Sequence, residues 1–520
     1  MKINLSAKVS TAIILTAFAR LGWSLPNFED SSILPPYISV SPSSSDSIKR
    51  EMSPEAIQVP HDLNGFGPNP QYVEEEYDAK AQYEIYGGKK RIDKVLPLIQ
   101  LGEPLYTEGA LANNYNIIGQ KNLVSPQFIV SGDLRTAVGY NYDGAKTVGV
   151  LATRLNLETD LRLTGTERIH ALFRPLDQNG LFTDYQFLNN SASGPAQFSN
   201  QINARPNTLF FEGDIGSIAS GIRDKYVSFD LPFAFGLMPM VFQNGIWVDA
   251  AFQGAAFSIP HMHSKFFDIS NMDITFFGGN SGINTPAINV VNAATGGVSI
   301  LAAATFIETQ GGYIEAGYGS VMDNTGAGLG YNNMTLAFTK RYGGWLSNST
   351  RVIVNSGQDN VAGKNPTASG YLVLLENSLI TRLPSTLIPY FNLFYGNGHP
   401  QSLARDPGAG GVLKNTGLSF ETDGLTGFPK LDDTGNNTYG GALGIQYLFS
   451  LNRQFVAEVA TVQVNNNTID HIAKGNQYAF SMRYQQNLNK AWIFRTDTIF
   501  ATRETLNPLA GIRFEIRRKF

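Results

Sequence analysis

The segment Leu151-Ala152-Thr153-Arg154-Leu155-Asn156-Leu157-Glu158-Thr159-Asp160-Leu161-Arg162-Leu163-Thr164 alternates without interruption. Its odd positions are Leu or Thr; its even positions carry Arg154, Glu158, Asp160 and Arg162 among small or polar residues. Successive side chains of an extended strand point to opposite faces, so one face is apolar and the other charged. The alternation runs far past the usual strand of five or six residues. A tilted strand needs about 9–11 residues to cross a bilayer. This segment therefore predicts a membrane-spanning β-strand with a little overhang.

The same pattern recurs outward from it. Phe128, Val130, Leu134, Val138 and Tyr140 oppose Ser131, Asp133, Arg135 and Asn141, and Trp492, Phe494 and Phe500 oppose Arg495 and Asp497. Runs of this kind begin near residues 127, 150, 167, 207, 226, 244, 270, 297, 311, 332, 348, 370, 386, 440, 453, 476, 490 and 510. Thr164-Gly165-Thr166 and Thr309-Gln310-Gly311-Gly312 read as tight turns, whereas 176–206, 279–296, 357–369 and 397–438 read as long polar loops. An even count of antiparallel strands, with short turns at one end and long loops at the other, is the transmembrane-barrel pattern. A soluble β-sandwich explains the period but not the strand length combined with an aromatic-rich apolar face. The fold class expected is all-β, an antiparallel transmembrane barrel of about 16–18 strands.

Composition agrees. Of 520 residues, 39 are Lys or Arg and 43 are Asp or Glu, a formal net charge of −4 and a charged fraction of 16%. That fraction lies below the roughly 25% of soluble domains, yet mean hydropathy is only −0.12. A near-neutral chain is a poor phosphate neutraliser, which argues against a nucleic-acid partner. The lack of Cys excludes disulfides, thiolate metal sites, Cys nucleophiles and c-type haem. Lys2 and Lys8 precede the apolar core Val9 to Ala19, so residues 1–24 read as a signal peptide cut after Ala19 or Ser24. Residues 25–100 are expected to form an acidic, Pro- and Ser-rich periplasmic arm, and 101–520 the barrel. Between residue 26 and Lys80 ten acidic residues face only Lys49 and Arg50. Such a segment cannot bury enough apolar surface to fold alone; it would serve as a linker, dock a periplasmic partner or plug the pore.

The inward face supplies the chemistry. Arg135, Arg154, Arg162, Arg168 and Arg174, with Glu158 and Asp160 among them, are the candidate pore-lining residues. Charged rings set ion selectivity, and guanidinium binds carboxylate and phosphate bidentately, so excess Arg favours anions. The alternative is that these charges pair with one another and stiffen a passive lumen. Glu158 and Asp160, about 7 Å apart along a strand, do not form a glycosidase pair without a sugar cleft. His261-Met262-His263 lacks a third ligand and reads as a rim segment. Gly326-Ala327-Gly328-Leu329-Gly330 and Gly408-Ala409-Gly410-Gly411 lie between β segments, not between a strand and a helix as phosphate loops do. No nucleophile–base constellation appears. The reading is a non-enzyme without cofactor or metal.

In the last strand Ala510, Ile512, Phe514 and Ile516 alternate with Gly511, Arg513, Glu515 and Arg517, and the sequence ends at Phe520. Here it resembles the bacterial outer-membrane β-barrels of porin-like type, whose last strand typically ends in an aromatic residue read by the barrel-assembly machinery. The resemblance implies that Phe520 is an assembly signal; Arg518 departs from the apolar residue usual near that end. Phe235-Gly236-Leu237-Met238-Pro239, Gly245-Ile246-Trp247-Val248-Asp249 and Phe252-Gln253-Gly254 resemble alginate-export-like barrels over some 25 residues. Those barrels carry Arg-Gln where this chain has Leu237-Met238 and Asp where it has Gln253, which puts polysaccharide export in doubt. The function implied is a channel in the outer membrane of a Gram-negative bacterium, embedded in outer-membrane lipid and passing small hydrophilic solutes passively, anions favoured. The alternatives are a scaffold barrel docking a periplasmic partner through residues 26–80, or a polysaccharide exporter.

Overall fold

The computed structural model describes residues 95–102, 114–178, 180–189, 197–288, 297–359, 366–421, 423–450, 452–465 and 471–520. The expected signal peptide and nearly all of the acidic arm lie outside the described residues. Eighteen wall strands form a closed antiparallel barrel. Each pairs with its neighbour in sequence, and the first, Gln127–Tyr142, also pairs with the last, Leu509–Lys519, from Asp133↔Lys519 to Tyr142↔Ala510. Pairing of the first strand with the last closes the ring, as a β-sheet in lipid requires.

The period-two reading is reproduced strand by strand. Sixteen of the eighteen wall strands begin within three residues of the positions read from the alternation; the other two begin at Pro232 and Val248 rather than near 226 and 244. The chain before Pro232 is instead occupied by the helix Ile215–Arg223, capped by Asp214. A second departure lies in 176–206, which is not all loop. The third wall strand is interrupted: Arg168–Phe173 pairs with one half of Thr147–Arg162, and Leu181–Asn189 pairs with the other. The alternation Leu181, Thr183, Tyr185, Phe187 was present, but Asn, Ser and Gly flanking it masked a short strand.

Leu134, Val138, Tyr140, Leu151, Phe235, Leu301, Leu336, Phe480 and Phe500 are exposed on the outer face, while Ala137 and Ala152 are buried on the inner one. This is an apolar belt around a filled lumen. Tight turns such as 310–311, 343–345 and 488–491 share one end with Lys519, and the connections leaving Ser281, Ser356 and His399 share the other. Gln310 and Gly311 both adopt positive φ, as a two-residue hairpin joined by a primed turn requires. At the short-turn end Ile99–Gly102 pairs with Gln127–Val130, just beyond the reach of the last strand.

One hairpin leaves the wall. The strands Pro232–Phe242 and Val248–Ser264 pair with each other up to Phe242↔Val248, but their outer neighbours let go at Leu237 and Gln253. Residues 238–252 therefore fold into the lumen. Met238, Trp247, Val248 and Phe252 on this hairpin pack with Phe277, Leu403 and Ala404 into an apolar core. The wall opposite is cut back to receive it: a Cβ at Gly317 would sit 2.5 Å from the Trp247 ring, and one at Gly319 would sit 2.6 Å from Leu403.

Candidate functional site

The long loop 400–437 also folds inward and docks on this hairpin. Ala404 and Arg405 run parallel to Val248 and Asp249. Leu403 N donates to Trp247 O at 2.8 Å, and Ser402 Oγ donates to Ile246 O at 2.7 Å. The Arg405 guanidinium is 2% exposed and is spent on the carbonyls of Gly245, Ile246 and Ala409 and on Ser402 Oγ. It is a structural cation, holding the turn 243–247 against the loop. Hairpin and loop together form a constriction with a cavity on each side. One of about 280 Å³ is lined by Phe242, Trp247, Asp273, Phe306 and Glu315; the other, about 330 Å³, by His399, Gln401, Arg405, Asn436 and His471.

The far end of the loop is latched to the wall by charge. Asp423 accepts from Arg135, and its other oxygen accepts from Arg513 Nη1 at 2.8 Å. Glu421 accepts from Arg483 Nη1 at 2.9 Å and lies 3.7 Å from Arg495. Glu458 on the wall accepts the N–H groups of Leu418 and Ser419, each at 2.7 Å. The wall arginines have acids of their own: Asp497 meets Arg483, Arg495 and Arg513 at 2.6, 2.9 and 2.5 Å, and Glu515 meets Arg135 at 2.6 Å. Register makes this lattice, because Arg483, Asp497 and Arg513 occupy one row of three adjacent strands. Burial opposes charge on Asp423, but Arg513 and Arg135 outweigh it and hold its carboxyl far below the usual range. Asp406 and Asp432, in the same loop, are pushed up to about 6 by burial.

The sequence-derived candidates divide into two groups. Arg135, Arg154 and Arg174 come together beside the constriction. Arg154 Nε lies 3.1 Å from Asp177 Oδ2, and Arg174 interacts with the same carboxylate. Arg174 Nε is buried without a hydrogen-bond partner. Glu158, Asp160, Arg162 and Arg168 lie toward the short-turn end, where Arg162 and Arg168 are register partners and Glu158 is exposed. There Asp160 meets His170 Nδ1 at 3.2 Å, and Glu212 meets its Nε2 at 3.0 Å. His261 and His263 are exposed at the short-turn end of their strand. Phe520 exchanges two backbone hydrogen bonds with Gly132. Sequence reasoning missed Arg483, Arg495, Arg513, Asp423 and Glu421 as site residues. The period placed Arg495 and Arg513 inward, but nothing local announced the loop that meets them.

A closed eighteen-stranded antiparallel barrel, apolar outside and charged and constricted inside, has the architecture of a transmembrane β-barrel of the outer-membrane type. No protein-family model matches the chain, and no curated protein matches its sequence. Among solved structures the chain is similar to Pseudomonas aeruginosa OccK5 (OpdH), at 10% identity and TM-score 0.45, covering 76% of this chain and 98% of that one. It is similar to Acinetobacter baumannii OccAB4 at 9% identity and TM-score 0.48, with the same coverage of 76% and 98%. For Pseudomonas aeruginosa OpdK, solved with vanillate, the values are 12% and 0.47, covering 75% and 98%.

Proposed function

We propose that the chain is a constricted channel through which small hydrophilic solutes pass passively, with an anion preference carried by Arg154 and Arg174. The observation behind this reading is that two guanidinium groups, those of Arg154 and Arg174, share one carboxylate, Asp177. Two cations against one anion leave a positive charge beside the constriction. Asp406 also faces Arg174, but burial holds it near pH 6, so it offsets little of that charge in mildly acidic medium. Guanidinium groups suit the oxygens of a carboxylate or phosphate group. Arg135, by contrast, is consumed by Asp423 and Glu515 and serves the latch.

Phe520 fits a role as the assembly signal, because its backbone pairing with Gly132 ties the chain end to the closing strand. The expected arm would leave the barrel at the same end, where Ile99–Gly102 is clasped to the first strand; a periplasmic partner would meet it there. The test of the channel is reversal potential in a KCl gradient across a planar bilayer. Wild type is expected to favour chloride, and Arg154→Gln with Arg174→Gln to remove most of that preference. A folded barrel that does not conduct, or a double variant with unchanged selectivity, refutes the proposal.

A further inference from the structure

The helix Ile215–Arg223 turns its apolar side chains away from the protein. Its buried face is Gly216, Ser220 and Gly221. Gly221 packs so closely that a Cβ there would meet Asn122 at 2.8 Å and Ile118 at 3.0 Å. Ile215 and Ile222, with Tyr226 just beyond the helix, stand 42%, 72% and 75% exposed. A helix in water buries its isoleucines and exposes its serines; the reverse arrangement belongs to a helix lying in a membrane interface. It sits at the short-turn end, the periplasmic side of a barrel of this kind.

Two further features adjoin it. Ile215 is also one wall of an outward-facing groove of about 360 Å³, lined solely by apolar residues that include Leu231, Phe233, Phe235, Ala255 and Phe257. The groove is continuous with the lipid-facing belt, and its alanine floor lies between phenylalanine ridges, the shape an acyl chain fills. Around the helix end stand exposed Arg223 and Lys225, with Lys121 Nζ 4.9 Å from the Tyr226 ring. None of the three is in an ion pair among the described residues. The acids nearby in sequence are Asp224, whose carboxylate takes the Gln120 N–H at 3.1 Å, and exposed Asp230.

We infer that this corner binds an anionic phospholipid of the periplasmic leaflet, an acyl chain in the groove and the phosphate among Lys121, Arg223 and Lys225. Basic side chains at a membrane surface attract anionic headgroups by about 1 kcal/mol each, roughly fivefold per charge. The test is native mass spectrometry of the folded full-length barrel, released from detergent containing equal phosphatidylglycerol and phosphatidylcholine. Wild type is expected to retain phosphatidylglycerol preferentially. Arg223→Gln with Lys225→Gln should lower that preference by at least tenfold, with folding checked by heat-modifiable gel mobility. Ala255→Trp, which fills the groove while leaving the charges, should lower retention of both lipids. Equal retention of the two lipids by wild type, or unaltered preference in the charge variant, overturns the assignment.

Discussion

Replacing Asp423 with Ala removes the group that ties the inner loop to two wall arginines. Its side chain is 24% exposed, while those of Arg135 and Arg513 are 8% and 3% exposed. Deleting one member of a buried ion pair typically costs about 3–5 kcal/mol, because a charge is left uncompensated. Here the arginines keep Glu515 and Asp497, so the loss falls toward that of a charge-assisted hydrogen bond, about 1.5–3 kcal/mol. At about 1.4 kcal/mol per tenfold, release of the segment around 418–426 becomes roughly 10- to 150-fold more favourable. The other end should stay in place, since Ser402, Leu403 and Arg405 hold the hairpin by independent hydrogen bonds. Single-channel recording in planar bilayers reads this directly. Asp423→Ala should show a second, larger conductance level and noisier openings, and Glu421→Gln, at the more exposed of the two acids, a smaller effect. The folded-state pKa of Asp423 is depressed, so its stabilisation is complete above about pH 4, the ordinary Asp value, and is lost as pH falls below it. Because its folded value lies far below that, wild type near pH 3 should move only part of the way toward the variant's noise. A conductance histogram for folded Asp423→Ala that matches wild type at pH 7 would refute the latch.

Two further outcomes follow from the same geometry. Asp406 and Asp432 are raised to about 6, so both lose charge between pH 7 and pH 5; chloride preference measured by reversal potential should rise over that interval. The same two groups favour the docked loop most at acid pH and lose that contribution as pH rises through about 6. Gly317→Leu places side-chain atoms where the Trp247 ring lies. Overpacking of this kind costs about 1–3 kcal/mol, so heat-modifiable mobility should shift to lower temperature and conductance should rise as the hairpin is pushed from the wall.

The wall was legible because its code is local. Leu151 to Thr164 carries period two, length and inward charge in one stretch, and each side chain's face follows from parity alone. The constriction was not legible in the same way. Met238 to Phe252 obeys the strand pattern, and nothing in it says that its outer neighbours stop pairing at Leu237 and Gln253. The clue was the cluster of large apolar residues at both parities, Met238 with Val241 and Trp247 with Val248, which a lipid-and-lumen strand does not need. Loop 400–437 was recognised as long and polar. Its buried Leu403, Leu413, Phe420, Leu425 and Leu431 are spaced too irregularly for any period to reveal that it has a core of its own. Arg135 was placed inward correctly, yet its partners Asp423 and Glu515 lie 288 and 380 residues away, and parity says nothing about pairs at such range.

Those separations have a consequence for assembly. Arg135 belongs to the first wall strand, and Arg513 and Glu515 belong to the last, the two strands whose pairing closes the barrel. Asp423 touches both arginines, so its full set of contacts exists only across the finished seam. Before closure the loop can find Glu458, Arg483 and Arg495, all on the late strands, but not Arg135. Each of those pairs alone is partly solvated and modest in strength, whereas the completed cluster excludes water and strengthens every member. Completion of the Asp423 end of the latch is thus coupled to closure of the wall.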